Sequence, residues 1–422
     1  MAGSAGVRTG AWRRCGRAVA WLLLAWSAAA AAAPAPESEP DPGWEAVDAQ
    51  LRAAVAPPGY LGVVAVVAHE GEIRYRRAFG ALDLARRRPI APDAIFRLYS
   101  MTKPVVSVAA LMLVEDGRLE LDAPAARWVP ELAALQVLGA DGRLRAPARP
   151  VTVRHLLTHT AGFAVAEGPA LRARERADPH GADDLAGYVR RLAQAPLAHD
   201  PGTVFEYDGA ATETLSRVLE VAAGMPLAEL LRTRVTGPLG MRDTAFSVPE
   251  AERGRVIDLT TLGDDGALRL ADGPSARTPG APLNRYDSGA GGLYGTADDY
   301  LRLCRMLLDG GVLDGRRHLR EASVRAMTSD QLGGLARPHT QFSVHEGFGL
   351  GLAIQHDPAA RGRLGAPGQL GWSGAASTHF MIDPQRRLIA ILLAQHLPRD
   401  VPGDLPRLSV PFYNLVQQRV SP

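Results

Sequence analysis

Ser100-Met101-Thr102-Lys103, followed by Pro104 and the apolar run Val105-Val106-Ser107-Val108-Ala109-Ala110-Leu111, is the stretch on which the reading of this chain turns. Lys103 is the only lysine in 422 residues; every other basic side chain counted with it is arginine. Arginine keeps its proton in any protein setting, whereas a desolvated lysine can give its proton up. A chain that meets all its ordinary needs for a cation with guanidinium groups keeps a lysine where the neutral amine matters. Residues i and i+3 share a face of a helix, so the Ser100 hydroxyl and the Lys103 amine can meet. A serine hydroxyl is a poor nucleophile until a neighbour takes its proton, and a neutral amine at hydrogen-bond distance can do so. Ser100 at a helix N-terminus also offers its own N–H to a developing oxyanion.

Outward from this stretch, a helix is predicted over 105–116, stopped at Gly117, with Pro104 tolerated in its first turn. Upstream, 61–68 and 73–79 read as two strands around the tight turn Glu70-Gly71-Glu72, after a helical 44–55. Strand pattern returns in 348–354, 378–382 and 388–394, and a helix closes the chain at 410–419. Between them, 119–285 is read as helical with many breakers, in pieces at 151–158, 183–194, 210–223 and 227–234. The charged, Gly-containing 165–184 is expected to be a structureless, mobile loop bordering a cleft. Strands at both ends around a helical middle imply one α/β domain, 43–118 with 286–422, carrying an all-helical insertion, 119–285.

The N-terminus sets the expected compartment. Residues 1–33 carry Arg8, Arg13, Arg14 and Arg17, no acid, and an apolar run ending in alanines, the pattern of an export signal. A linker follows at 34–42, and an uncleaved membrane anchor over 18–36 is the alternative. The chain is therefore expected to work in the periplasm or as a secreted protein, and to meet a membrane only if that segment stays attached. Without those four arginines the formal charge goes from +2 to −2, and arginine is spread evenly among nearly as many acids, so no nucleic-acid footprint is expected. Cys15 and Cys304 are too few for a disulfide framework or a zinc ligand set, and no metal or organic cofactor is expected.

Further motifs follow in order: Phe96-Arg97-Leu98-Tyr99 before Ser100, Val153-Arg154-His155-Leu156-Leu157-Thr158-His159-Thr160-Ala161-Gly162, Pro201-Gly202-Thr203-Val204-Phe205-Glu206-Tyr207, Gly237-Pro238-Leu239-Gly240-Met241, Ser288-Gly289-Ala290-Gly291-Gly292-Leu293 and Gly347-Phe348-Gly349-Leu350-Gly351. With the Ser-x-x-Lys stretch they resemble the class C β-lactamase-like serine hydrolases, a superfamily that includes penicillin-recognising enzymes and the family VIII carboxylesterases. The resemblance runs from about residue 43 to 397. It implies an α+β fold of the β-lactamase/transpeptidase type, an antiparallel sheet flanked by helices with an inserted all-helical domain. It also implies that Tyr207 shuttles a proton beside Ser100 and Lys103. Whether the amine or the phenolate is the base stays open, because coupled neighbours titrate as a unit.

The departures from the family pattern bear on substrate. Lactam-recognising members place an asparagine two residues after the tyrosine, and here Tyr207-Asp208-Gly209 stands instead. Their Lys-Thr-Gly or His-Thr-Gly strand is replaced by Trp372-Ser373-Gly374, and with no second lysine the cation that holds a substrate carboxylate is missing. An indole can wall off an apolar acyl group and cannot neutralise a carboxylate. This form resembles the esterases and implies Trp372, Ser373 and Gly374 as substrate contacts, with the backbone N–H groups of Ser100 and Ala375 as the oxyanion site. The expectation is thus a small-molecule ester substrate and an acyl-enzyme on Ser100. A DD-peptidase or β-lactamase in which an arginine replaces the missing cation is the alternative within the superfamily, and a non-catalytic envelope binding protein is the alternative outside it. His155 and His159 have the i, i+4 spacing of zinc ligands but lack the Glu of H-E-x-x-H, so helix packing and capping is the expected role. His379 is read as a structural histidine near the oxyanion strand.

Overall fold

A computed structural model of the chain describes residues 43–335, 345–399 and 401–420. The expected export segment 1–33 and linker 34–42 lie outside the described residues. Helix α1 (Glu45–Val55) leads into strand β1 (Gly62–His69), and the turn at Glu70-Gly71, both at positive φ, returns the chain as β2 (Glu72–Gly80). The distant C-terminal part supplies β3 (Glu346–Phe348), β4 (Ala353–Gln355), β5 (Gln369–Gly374), β6 (Thr378–Asp383) and β7 (Leu388–Ala394). Together they form one seven-stranded antiparallel sheet in the order β3-β4-β5-β6-β7-β1-β2. β1 pairs with β7 from Val63 opposite Ala394 to His69 opposite Leu388, so the two ends of the chain close on each other. These two central strands are covered on both faces, which is why each reads as an unbroken apolar run.

The helices that matter for the site are α2 (Thr102–Glu115), α3 (Val153–Leu157), α4 (Pro169–Ala177), α5 (Leu185–Leu192), α6 (Gly209–Ala223), α7 (Leu227–Leu231), α8 (Ala297–Leu308) and the closing α9 (Ser409–Val420). The period-2 alternation of the strands sorts the sheet into two cores. Val64, Val66, Phe380, Ile382, Ile391 and Leu393 pack with α2 and the helical middle of the chain. Val63, Ala65, Val67, Met381, Ala390 and Leu392 pack with Trp44 and Leu51 of the N-terminal segment and with Phe412 and Val416 of α9. α2 is buried almost all round, which explains a run too apolar to show a helical stripe.

Three expectations are corrected. The run at 348–354 is not one strand. It splits into β3 and β4 around a turn in which Gly351 takes φ +96° and lies so close to α2 that a Cβ would fall 2.0 Å from Ser107 Oγ. The charged 165–184 is not structureless: Gly168-Pro169 starts α4, whose Ala, Arg and Glu residues are good helix formers, and Arg174 ties it back by donating to the Ala164 carbonyl at 2.7 Å. Only Ala170 of α4 is buried, so no apolar period betrays the helix. The segment 119–285, read as all-helical, is helix-dominated and also carries short strand pairs, 137–138 with 144–145 and 260–262 with 268–270. The second of these runs parallel to 396–397. Runs of two or three residues are too short to show alternation in sequence. Among the described residues no helix is long and apolar enough to cross a membrane.

Candidate active site

Ser100 sits on a single 3₁₀ turn, Tyr99–Met101, immediately before α2. Tyr99 takes φ +46°, a left-handed conformation that a bulky residue adopts only when its surroundings hold it there. Those surroundings are on both sides. Arg97, wholly buried, donates from its guanidinium to the carbonyls of Ile257 (2.8 Å) and Ser275, while its backbone N–H donates to Gln395 Oε1 at 2.7 Å. Leu98 N–H donates to the Leu293 carbonyl (2.8 Å), Thr102 Oγ1 accepts from Leu293 N–H (3.1 Å), and the Met101 carbonyl accepts from Tyr300 OH (3.0 Å). The backbone around Ser100 is thus fixed by residues far away in the chain.

Lys103, in the first turn of α2 and 3 % exposed, directs Nζ to Ser100 Oγ at 3.1 Å and to the Ala290 carbonyl at 2.7 Å. The i, i+3 expectation from the sequence therefore holds in space. The same nitrogen lies 4.8 Å from the centre of the Tyr207 ring. Tyr207 comes from the junction before α6, where Asp208 caps the helix by accepting from Ala210 N–H at 3.0 Å and pairs with Arg174 at 3.1 Å. Its ring is held between His159, at 4.6 Å, and Trp372, at 4.9 Å. Trp372 Nε1–H donates to the Tyr207 hydroxyl oxygen at 3.3 Å. The indole thus supplies a donor to the phenol in addition to an apolar wall.

The other residues expected from the Trp372-Ser373-Gly374 strand divide. Gly374 passes so close to the turn that carries Ser100 that a Cβ would fall 2.3 Å from the Leu98 carbonyl oxygen, which also accepts from Thr378 Oγ1 at 3.3 Å. Ala375 is exposed in the turn that follows, and Ala376 packs in the cluster against which Tyr99 lies. Ser373 does not join this group: alternation along β5 turns it to the face opposite Trp372, where it stands across from His379 and is exposed. The family resemblance implied all three residues of this strand as substrate contacts, but adjacent strand residues point to opposite sides.

The two histidines of the 155–159 segment separate. His155 completes a capping box with Thr152 at the start of its own helix. His159, at φ +52°, is buried against Tyr207, Phe205 and Phe348, and its Nδ1 accepts from Asp208 N–H at 3.2 Å. Burial, reinforced by Lys103, holds its imidazole well below the ordinary histidine range, so it backs the tyrosine as a neutral ring. One acid went unnoticed in the sequence. Glu213 of α6 is 2 % exposed, its Oε1 accepts from Ser288 Oγ, and burial pushes its carboxyl up to about 7. The available signal was its place on the buried side of α6, among Ala210, Thr214 and Ser216.

A serine, a buried amine in contact with it and a tyrosine beside that amine thus come together on a mixed α+β scaffold. The chain belongs to the β-lactamase family, whose profile matches residues 47–409, and it is a serine hydrolase of that fold. It is 36 % identical to the esterase EstB of Burkholderia gladioli over 85 % of this chain and 92 % of the relative. It is 31 % identical to a lovastatin esterase of Penicillium rubens, over 81 % and 90 %. Among solved structures it resembles EstCE1, described as a hydrolase with promiscuous acyltransferase activity, with a TM-score of 0.72 and 26 % identity over 89 % of this chain and 97 % of that one.

Proposed function

We propose that this chain is an exported serine esterase that works through an acyl-enzyme on Ser100. The observation that carries the reading is the 3.1 Å approach of Lys103 Nζ to Ser100 Oγ beside a Tyr207 whose hydroxyl accepts from Trp372. In this reading Ser100 Oγ attacks the ester carbonyl carbon, and its proton passes to the Lys103 and Tyr207 pair. The tetrahedral oxyanion is held by the N–H groups of Ser100 and Ala375. The C–O bond to the alcohol then breaks, and the alcohol leaves with the proton. Water, or an acceptor alcohol, attacks the acyl-enzyme by the reverse route and frees Ser100. Trp372 lines the acyl side and offers no charge, so neutral esters fit better than carboxylate-bearing lactams or peptides. The site of action is the periplasm or the medium, on the strength of the N-terminal pattern.

The test is hydrolysis of short-chain p-nitrophenyl esters by the wild type and by Ser100→Ala, with intact-mass detection of the acylated wild type. Loss of turnover by about four orders of magnitude in Ser100→Ala is expected. Equal rates overturn the proposal, and faster cleavage of nitrocefin or a D-Ala-D-Ala peptide than of any ester moves the substrate class to lactams and peptides.

A further inference from the structure

Among the buried ionisable groups that the mechanism above does not use, Glu213 lies nearest to its machinery. Glu213 lies on the far side of the segment 288–290, and that segment is the partner of Lys103. Ser288 Oγ donates to Glu213 Oε1, and the N–H groups of Gly289 and Ala290 also face the carboxyl. The Ala290 carbonyl, on the other side of the same segment, takes the hydrogen bond from Lys103 Nζ at 2.7 Å. The segment is pressed between two helices: a Cβ on Gly289 would fall 1.9 Å from Ser216 Oγ of α6 and 3.3 Å from Val106 Cγ2 of α2. Glu213 and Lys103 therefore grip one short piece of backbone from opposite sides.

We propose that Glu213 is a positioning residue for the Ser100 and Lys103 couple: from α6 it clamps the segment 288–290, whose Ala290 carbonyl holds the lysine amine against the nucleophile. The proposal rests on the esterase reading for the reaction it serves. The clamp depends on charge, because hydrogen bonds to a carboxylate are about twice as strong as those to a neutral acceptor. The groups that face Glu213 are few. Lys103 approaches from α2 and Tyr188 from α5, with Arg174 and Asp208 beyond Tyr188, and Tyr286 approaches from the segment leading to Ser288. On the remaining neighbours of α6, Arg154 of α3 pairs with Asp122, His155 caps its own helix, and Glu229 of α7 is exposed. Burial raises the carboxyl to about 7, while Ser288, Lys103 and the two N–H groups pull it down. Below that pH the group is protonated and its grip weakens; above it the carboxylate closes on the segment. Activation of Ser100 should accordingly rise with pH through about 7.

The experiment follows the rate at which an alkyl fluorophosphonate labels Ser100 in the full chain, from mildly acidic to mildly alkaline pH. The expected wild-type profile rises through an inflection near 7. Glu213→Gln, which keeps the side chain's shape, should lack that inflection and label slower on the alkaline side by roughly ten- to a hundredfold. With a p-nitrophenyl ester its kcat should fall while KM stays within about twofold. Ser288→Ala removes one group that holds the carboxyl down, so its inflection should move to higher pH, which tests the contact from the other end. A Glu213→Gln protein with the wild-type profile, or a Ser288→Ala inflection that stays in place, overturns the role of Glu213 and leaves the esterase reading standing. A wild type that takes up no probe on Ser100 overturns the esterase reading and this inference with it.

Discussion

The two faces of the sheet are built from alternate residues of the same strands, and they differ in what they bury. Behind the sheet, β1, β2 and β7 meet α1 and α9 chiefly through apolar side chains, among them Trp44, Leu51, Val63, Ala65, Phe412 and Val416. The buried polar groups of this face include Asp48, which accepts from Tyr75 OH and Arg77 Nη1, each at 2.8 Å, and Asp383, which accepts from Gln417 Nε2 of α9 at 3.0 Å. In front of the sheet, the region around α2 and α6 buries Arg97, Lys103, His159, Asp208 and Glu213, each 6 % exposed or less. Burying such groups is costly unless each is met by a partner. For three of them the partners, Ile257, Ala290 and Ser288, lie far away in sequence from the group they meet. The rear face closes the fold, and the front face spends part of that stability on holding charges at fixed distances.

The largest expected effect tests whether the front face is about protons or only about charge. Lys103→Arg keeps the cation and removes the removable proton. Ester turnover should fall by roughly two to four orders of magnitude while the thermal midpoint changes little. Assays of purified variant under conditions saturating for the wild type decide it. Turnover within a factor of a few of the wild type would show that a fixed positive charge suffices, and the neutral-amine role would fall. On the rear face the opposite pattern is expected. Phe412 is wholly buried between α9 and the sheet, so Phe412→Ala should cost about 3–5 kcal/mol in denaturant unfolding. Its kcat, measured on the folded fraction, should match the wild type. A rear-face variant that lost turnover without losing stability would break the division between the faces.

How much of this was legible in the sequence follows from the range of the interactions. Ser100 and Lys103 lie one helical turn apart, so local geometry alone predicts their contact. The central strands were legible because burial on both faces leaves an unbroken apolar run, and 388–394 has the same bounds in structure as in sequence. Tyr207 and Trp372 entered through the family resemblance, since nothing local says that residues this far apart meet Lys103 or each other. His159 was read as structural. It lies beyond the end of α3, and its position against Tyr207 required the backbone turn at φ +52°, which the sequence does not announce. Glu213 was missed because a single acid in a helix gives no period of its own. α4 was missed for the converse reason: it buries one alanine and shows no apolar stripe.

The smallest expected effect falls at the seam between the two faces. Ser373 stands between Trp372, which packs in the front core, and Gly374, which abuts Leu98, and the pairing of β5 with β6 sets it opposite His379 on the other side. The backbone near this point is tightly placed, as the 2.3 Å a Cβ on Gly374 would make with the Leu98 carbonyl shows. The Ser373 side chain itself is exposed and turned away from that approach. Ser373→Ala keeps the strand, its register and every N–H that β5 presents, and removes only a hydroxyl on the far side. Its kcat/KM for neutral esters should stay within about twofold of the wild type, as for other exposed substitutions. A tenfold loss with an unchanged thermal midpoint would mean that the hydroxyl reaches substrate around the open end of β5. The division of the sheet into a chemical face and a structural face would then stop short of Gly374, and the acyl site would extend past the strand's edge.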